Sequence, residues 1–111
     1  MRKLVVHSLV LLSWAGAGAI LPAAAAEDEM LMRGKALFTT EAVPACAICH
    51  TLADAGAEGG IGPDLNELKP TKEVVLKVLK EGMGVMPSFA ETMSNEDMEA
   101  VADYIVSVTG G

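Results

Sequence analysis

Three segments of the chain carry apolar residues at the three- and four-residue spacing of an amphipathic helix. They cover residues 28–39, 71–81 and 94–108. No segment alternates convincingly enough to predict a strand. Two loops rich in glycine or containing proline separate the helices, at residues 51–68 and 84–93. The pattern therefore predicts an all-α domain whose two loops fold over its centre.

Gly34 is the unusual member of the first predicted helix. Glycine inside a helix costs up to about 1 kcal/mol relative to alanine, so another feature has to justify it. We expect the backbone of a second element to approach closely at this residue.

The first 26 residues have the pattern of a secretory leader, which we exclude from the fold. Arg2 and Lys3 supply the positive start, residues 4–21 are almost uncharged and apolar, and four alanines end at Ala26. An uncleaved membrane anchor is the competing interpretation, because the apolar run approaches spanning length, but glycines and serines dilute it. We therefore predict cleavage after Ala26, a periplasmic location and one domain over residues 27–111.

The remaining domain is small, acidic and poor in aromatic side chains. The whole chain has a net charge of −7, and removing two cationic residues with the leader leaves −9 over 85 residues. A domain of this size usually needs a staple or a cofactor, and only Phe38, Phe89 and Tyr104 are aromatic. The composition therefore predicts that something other than protein fills the centre. The charge argues against nucleic acid and anionic membranes, and fits a basic protein partner or simple solubility.

Both cysteines lie in one short stretch, Cys46-Ala47-Ile48-Cys49-His50, whose spacing is compatible with four kinds of chemistry. A structural zinc site wants four Cys or His ligands, whereas the domain holds only one histidine. A thioredoxin-like couple needs a preceding strand, which the pattern does not predict. A plain disulfide would close too short a loop to stabilise the domain much. The fourth kind is a covalently bound haem.

The C-x-x-C-H order gives each functional residue of this stretch a role in binding a c-type haem. The thiols of Cys46 and Cys49 would add to the two vinyl groups of the porphyrin, and the short turn would aim His50 at the iron. Export, the single histidine and the under-filled core agree with this interpretation. We therefore predict haem c, with its iron, as the cofactor.

The second axial ligand decides whether the iron only exchanges electrons or also binds small molecules. Methionine is the strongest candidate, because no second histidine follows the leader. Met86 is preferred, since Pro87 fixes the next backbone angle and Phe89 can pack on the macrocycle. Met83 lies in the same loop and stays an alternative, whereas Met30 falls on a helix stripe and is an ordinary core residue by default.

Four stretches together, PACAICH, GIGPDL, GVMPSF and DMEAVADYIVSV, resemble those of a class I monohaem cytochrome c. The resemblance covers essentially all of residues 27–111. It implies that family's fold, in which the first and last helices cross near a glycine and two aromatic residues and the loops wrap the haem. Gly34, Phe38 and Tyr104 match these three positions.

The resemblance also implies the roles of two residues outside the cysteine stretch. The carbonyl of Pro63 would accept a hydrogen bond from Nδ1 of His50 and so fix the tautomer of the ring. Met86 would be the sulfur ligand. Departures from the family pattern are mild. The loop at residues 53–60 has its own length and composition, and the surface is acidic where some relatives show a ring of lysines.

Iron held between histidine and methionine indicates an electron carrier and not an enzyme. We expect a periplasmic dehydrogenase as donor and a terminal oxidase or another cytochrome as acceptor, and the chain resembles the small acceptor cytochromes of bacterial sulfite dehydrogenases. Lys69, Lys72, Lys77 and Lys80 form either a docking patch or a solvated helix face with internal ion pairs. Such contacts are usually small and transient, so we expect a monomer.

Two alternatives from other functional classes remain open. If Met86 does not bind, a five-coordinate haem would make the protein an enzyme or a gas sensor, although no distal histidine is available for acid–base work. If the thiols are not attached, the protein is a haem-free binding module.

Overall fold

The computed structural model describes residues 13, 16–20 and 22–111. Most of the predicted leader, with both of its cationic residues, lies outside the described residues. Within the described part, no helix combines the length and the apolar character needed to cross a membrane.

Most of the described domain is helical. Its helices are α1 (Ala23–Ala36), α2 (Leu65–Leu68), α3 (Lys72–Glu81) and α4 (Asn95–Thr109). A π-helical turn, Leu37–Glu41, continues α1, and single 3₁₀ turns cover Cys46–Ile48 and Ala53–Ala55. Strands β1 (Thr51–Leu52) and β2 (Ala57–Glu58) pair antiparallel, with Thr51 opposite Glu58. The prediction of a purely all-α fold is therefore only approximate, because two-residue strands are too short to show alternation.

Helices α3 and α4 each begin directly after a residue whose side chain caps the helix. The hydroxyl of Thr71 accepts a hydrogen bond from the amide of Val74 at 3.4 Å, and that of Ser94 accepts one from Asp97 at 3.0 Å. Gly82 and Gly110, each at positive φ, follow the last residues of the two helices. These local signals place both helices within about one residue of the prediction.

Helix α1 differs from its prediction at both ends. It begins at Ala23 and not at residue 28, because the tract assigned to the leader consists of alanine, the residue with the highest helix propensity. Beyond Ala36 the regular hydrogen bonding gives way, and the amide of Ala42 donates to the carbonyl of Leu37 at 3.0 Å. The hydroxyls of Thr39 and Thr40 donate to the carbonyl of Ala36, a local contact that competes with regular helix geometry.

The first and last helices cross at Gly34, as expected. A Cβ atom on Gly34 would lie 2.1 Å from the carbonyl oxygen of Ala100 and 2.6 Å from Cβ of Tyr104. Only glycine therefore allows this approach. Beside the crossing, the rings of Phe38 and Tyr104 meet edge to face with centroids 6.1 Å apart, and both are buried.

Two polar clusters join α1 to α4, one directly and one through Asp54. The guanidinium of Arg33 donates two hydrogen bonds to the carboxylate of Asp97, at 3.0 and 3.1 Å, and also pairs with Glu41. In the second cluster, the hydroxyl of Tyr104 donates to Asp54 at 2.6 Å, and Lys35 lies 3.1 Å from the same carboxylate oxygen. The second cluster also ties the segment after β1 to both helices.

Candidate functional site

An apolar cavity of about 500 Å³ lies between α3, α4 and the segments that join the helices. The six residues that the sequence predicts for the site all line it: Cys46, Cys49, His50, Pro63, Met86 and Phe89. Its volume falls in the range typical of cofactor pockets. The fold therefore brings residues from three separate stretches of the chain to one space.

The cysteine stretch forms a tight turn at one end of the cavity. The carbonyl of Cys46 accepts hydrogen bonds from the amides of Cys49 and His50, at 3.1 and 2.9 Å. The two thiols are partly buried and not bonded to each other. Burial raises the pKa of the Cys46 thiol to about 11, which opposes the thiolate that a disulfide-exchange couple requires. Among the described residues, no group of three or more Cys, His, Asp or Glu side chains could hold a metal ion.

The ring of His50 is fixed from its Nδ1 side. Nδ1 lies 2.8 Å from the carbonyl oxygen of Pro63, and since a carbonyl only accepts, Nδ1 carries the proton. The lone pair of Nε2 is then free to bind a metal ion. This hydrogen bond is the one that the resemblance implies.

Two glycines form a close cradle for this histidine, which sequence reasoning missed. A Cβ atom on Gly62 would lie 2.5 Å from Cε1 of His50, and one on Gly59 would lie 2.7 Å from the His50 amide nitrogen. The amide of Gly62 also donates to the carbonyl of Cys49 at 2.7 Å. The sequence does carry a signal for Gly62, because this residue directly precedes Pro63, whose carbonyl accepts the hydrogen bond from Nδ1.

The loop that carries Met86 is held by backbone hydrogen bonds. Met83 and Met86 exchange two of them, at 3.0 and 2.9 Å, around a four-residue turn. The amide of Phe89 donates to the carbonyl of Leu79 at 2.7 Å, and the hydroxyl of Ser88 donates to α3. Phe89 is 3% exposed. Met83 lines the cavity as well, so the structure brings both candidate thioethers to the same space.

The rest of the cavity wall consists largely of aliphatic side chains on helices. Leu65 comes from α2, Val75 and Leu79 from α3, and Val101 and Ile105 from α4. Four of these five lie in the helices predicted at residues 71–81 and 94–108, but the sequence indicated no site role for any of them. Their spacing is that of any buried helix face, so periodicity alone does not distinguish a cofactor wall from a protein core.

The proposed lysine patch is partly engaged within the protein. Lys72 pairs with Glu99 at 2.7 Å and with Asp103 at 2.8 Å, which joins α3 to α4. Hydrogen bonds to Asp103 and Glu99 raise the pKa of Lys72 to about 12. For Lys72, the structure therefore agrees with the alternative to a docking patch, a helix face with internal ion pairs.

Comparison with known proteins identifies the family. Residues 29–105 match the family model described as cytochrome c oxidase, cbb3-type, subunit III. The chain belongs to this cytochrome c family. This cytochrome is also similar to the solved c-type cytochrome SorU from Sinorhizobium meliloti, at 44% identity and a TM-score of 0.72. That match covers 75% of this chain and 94% of SorU.

Two cytochromes c6 are more distant relatives. The one from Microcystis aeruginosa is 41% identical over 39 residues, or 35% of this chain, and the matched part is 48% of its length. The one from Cladophora glomerata is 29% identical over 85 residues, covering 71% of this chain and 89% of that protein. This cytochrome thus spans about half of the first relative and most of the second.

The family membership and the cavity agree on the cofactor. This cytochrome is an electron-transfer protein whose cofactor is covalently attached haem c. The described residues fit that group, because apolar walls suit a macrocycle, two thiols stand at one end, and a histidine nitrogen is free to bind iron.

Proposed function

We propose that this cytochrome carries single electrons in the periplasm, from a dehydrogenase to a terminal oxidase or another cytochrome. The observation that carries the proposal is that His50 lines the same apolar cavity as two methionines, Met83 and the preferred ligand Met86. Haem iron between a histidine and a methionine supplies one-electron exchange at a raised potential. The protein's own task is then to hold the haem, keep other ligands away and leave an edge open to partners.

In this proposal the cysteine turn fixes the cofactor and its orientation. Cys46 and Cys49 would supply the thioether sulfurs, and the hydrogen-bonded turn that holds them would present His50 to the iron. The carbonyl of Pro63 holds the proton on Nδ1, which would leave Nε2 as the nitrogen that binds the iron.

Met86 would supply the sulfur that binds the iron in this proposal. Pro87 restricts the chain directly after it, and buried Phe89 anchors the loop to α3 through its amide. These restraints lower the entropy lost when a flexible thioether is held in one place. With His50 and Met86 both bound to it, the iron would have no free position for gases or peroxides.

The electron would enter where exposed residues border the cavity. Ile61, Met83 and Val85 line the cavity, yet they are 67, 69 and 86% exposed. The wall is therefore open to solvent on this side, whereas Val101 and Leu79 close it on the helix side. A partner docking here would approach the cofactor without unfolding the protein.

A sulfite dehydrogenase is the donor that we propose. The resemblance of the sequence to acceptor cytochromes of such enzymes supports it, and the 44% identity to SorU places the chain beside a c-type cytochrome of similar length. Export with cleavage after Ala26 would place both proteins in the same compartment. After cleavage, α1 would begin near three acidic residues, which suit the positive end of its dipole.

The ligand assignment is tested on holoprotein made with a cytochrome c maturation system. We expect the reduced wild type to bind carbon monoxide poorly, and Met86→Ala to bind it more tightly than the wild type and to have a lower potential. Met32→Ala is the matched control, because Met32 is 65% exposed and does not line the cavity. Rapid binding to the wild type would favour a five-coordinate enzyme or sensor.

The covalent attachment and the donor need separate tests. Pigment should stay with the protein through acidified organic extraction, and Cys46→Ala with Cys49→Ala should leave a colourless, largely unfolded chain. For the donor, ferric protein is mixed with purified sulfite dehydrogenase and sulfite, and reduction is followed by absorbance. Reduction no faster than without the enzyme would remove that donor from the proposal.

A further inference from the structure

Met83 is a second thioether that the proposed function leaves without a role. It sits directly opposite Met86 in the four-residue turn, where the two residues exchange both backbone hydrogen bonds. Directly opposed residues of an antiparallel pair place their side chains on the same face. Both side chains line the cavity. Two sulfurs are therefore presented to one space by one turn.

The two methionines differ in how firmly the structure holds them. Met86 is half-buried and precedes Pro87, whereas Met83 is 69% exposed. Met83 is flanked by Gly82 at φ +72° and Gly84 at φ +56°. Glycine occupies both positive and negative φ at little cost, so the segment around Met83 can change conformation more easily than the one around Met86.

Packing does not account for Met83. An exposed apolar side chain on a turn contributes little burial, and the buried core forms without it. Met32 is exposed to a similar extent, at 65%, but it lies on α1 and does not line the cavity. Only one of these two exposed thioethers is therefore within the site.

We propose that Met83 is a reserve axial ligand, which binds the haem iron when the thioether of Met86 is removed from it. This inference rests on the proposed role of Met86 as the resident ligand. The turn would shift about its two glycines and exchange one sulfur for the other. Small molecules would then have to compete with Met83 for the iron, so loss of Met86 alone would open the site less than loss of both methionines.

The test compares carbon monoxide affinity in three reduced holoproteins. These are Met86→Ala, Met83→Ala with Met86→Ala, and the control Met32→Ala with Met86→Ala. If Met83 occupies the iron nine-tenths of the time in Met86→Ala, this variant should bind carbon monoxide about tenfold more weakly than the variant that lacks both cavity methionines. The control should match Met86→Ala. Visible spectra without carbon monoxide should show a six-coordinate form that disappears only with Met83.

Equal affinities and equal spectra with and without Met83 would overturn the reserve role. Failure of the proposed function looks different, because the wild type itself would then bind carbon monoxide as tightly as Met86→Ala. If Met86→Ala does not accumulate, Met86→Leu replaces it in all three proteins, since leucine keeps the volume and lacks the sulfur.

Discussion

The contact at Gly34 makes a quantitative prediction, because the added atom of Gly34→Ala has no space. Its Cβ would lie 2.1 Å from the carbonyl oxygen of Ala100 and 2.6 Å from Cβ of Tyr104. Optimal carbon contacts are about 3.5–4.0 Å, so the two helices have to separate by roughly 1 Å. Backbone atoms and a Cβ cannot rotate away, which leaves displacement of a whole helix as the response.

Two opposing terms set the size of this effect. Overpacking a close contact costs about 1–3 kcal/mol and occasionally more, whereas alanine gains about 1 kcal/mol over glycine within a helix. Because the clash is with backbone, we expect the upper end of the cost and a net loss of about 2 kcal/mol. For a domain of this size, that loss lowers the melting temperature by roughly 8–16 °C.

The assay is thermal and urea unfolding of the holoprotein, followed by circular dichroism. Gly60→Ala is the matched control, because a Cβ there would meet nothing within 4 Å and the residue is not at positive φ. We expect the control to melt within a few degrees of the wild type. A Gly34→Ala protein as stable as the wild type would refute the claim that this crossing requires glycine.

Three further predictions concern the candidate site and the contacts of Asp54 with Tyr104 and Lys35. Gly62→Ala should displace the ring of His50, with Cβ 2.5 Å from Cε1, and change the visible spectrum and the potential, whereas Gly60→Ala should change neither. Tyr104→Phe should cost about 1 kcal/mol in urea unfolding, because it removes a 2.6 Å hydrogen bond to a half-exposed carboxylate. The hydrogen bond from Tyr104, and to a smaller extent the one from Lys35, holds the pKa of Asp54 below its usual 3.8. The contribution of Asp54 to the free energy of unfolding is therefore complete above pH 3.8 and is lost as the pH falls below it. The difference in unfolding free energy between wild type and Asp54→Asn should therefore be constant near neutrality and shrink below about pH 4, and a constant difference down to pH 2 would contradict this.

Local signals predicted the parts of this fold that depend on neighbouring residues. The helix starts predicted at residues 71 and 94 are accurate to one residue, because Thr71 and Ser94 cap α3 and α4. The C-x-x-C-H stretch forms one turn because its residues are contiguous. The glycine of α1 also indicated its own close contact, since its cost in a helix needs compensation. All of these features can be judged from a few adjacent positions.

Features that depend on distant pairing were not predictable in the same way. The hydrogen bond from Tyr104 to Asp54 joins residues 50 positions apart, and no spacing rule connects them. The helix α2 spans four residues and β1 two, which is too short for any periodicity to be read. The early start of α1 was missed because its alanines fit two patterns, a helix and the end of a leader.

The pairing of α1 with α4 also bears on how the protein is assembled. Arg33 and Asp97 are 64 positions apart, so this clasp forms only when nearly the whole polypeptide is available. Long-range closure of this kind is slow compared with helix formation. Because the chain is made from its N-terminus, the cysteine turn is complete while the wall supplied by Val101 and Ile105 is still missing. Attachment of the haem would meet an open chain, and the final helix would seal the pigment in afterwards.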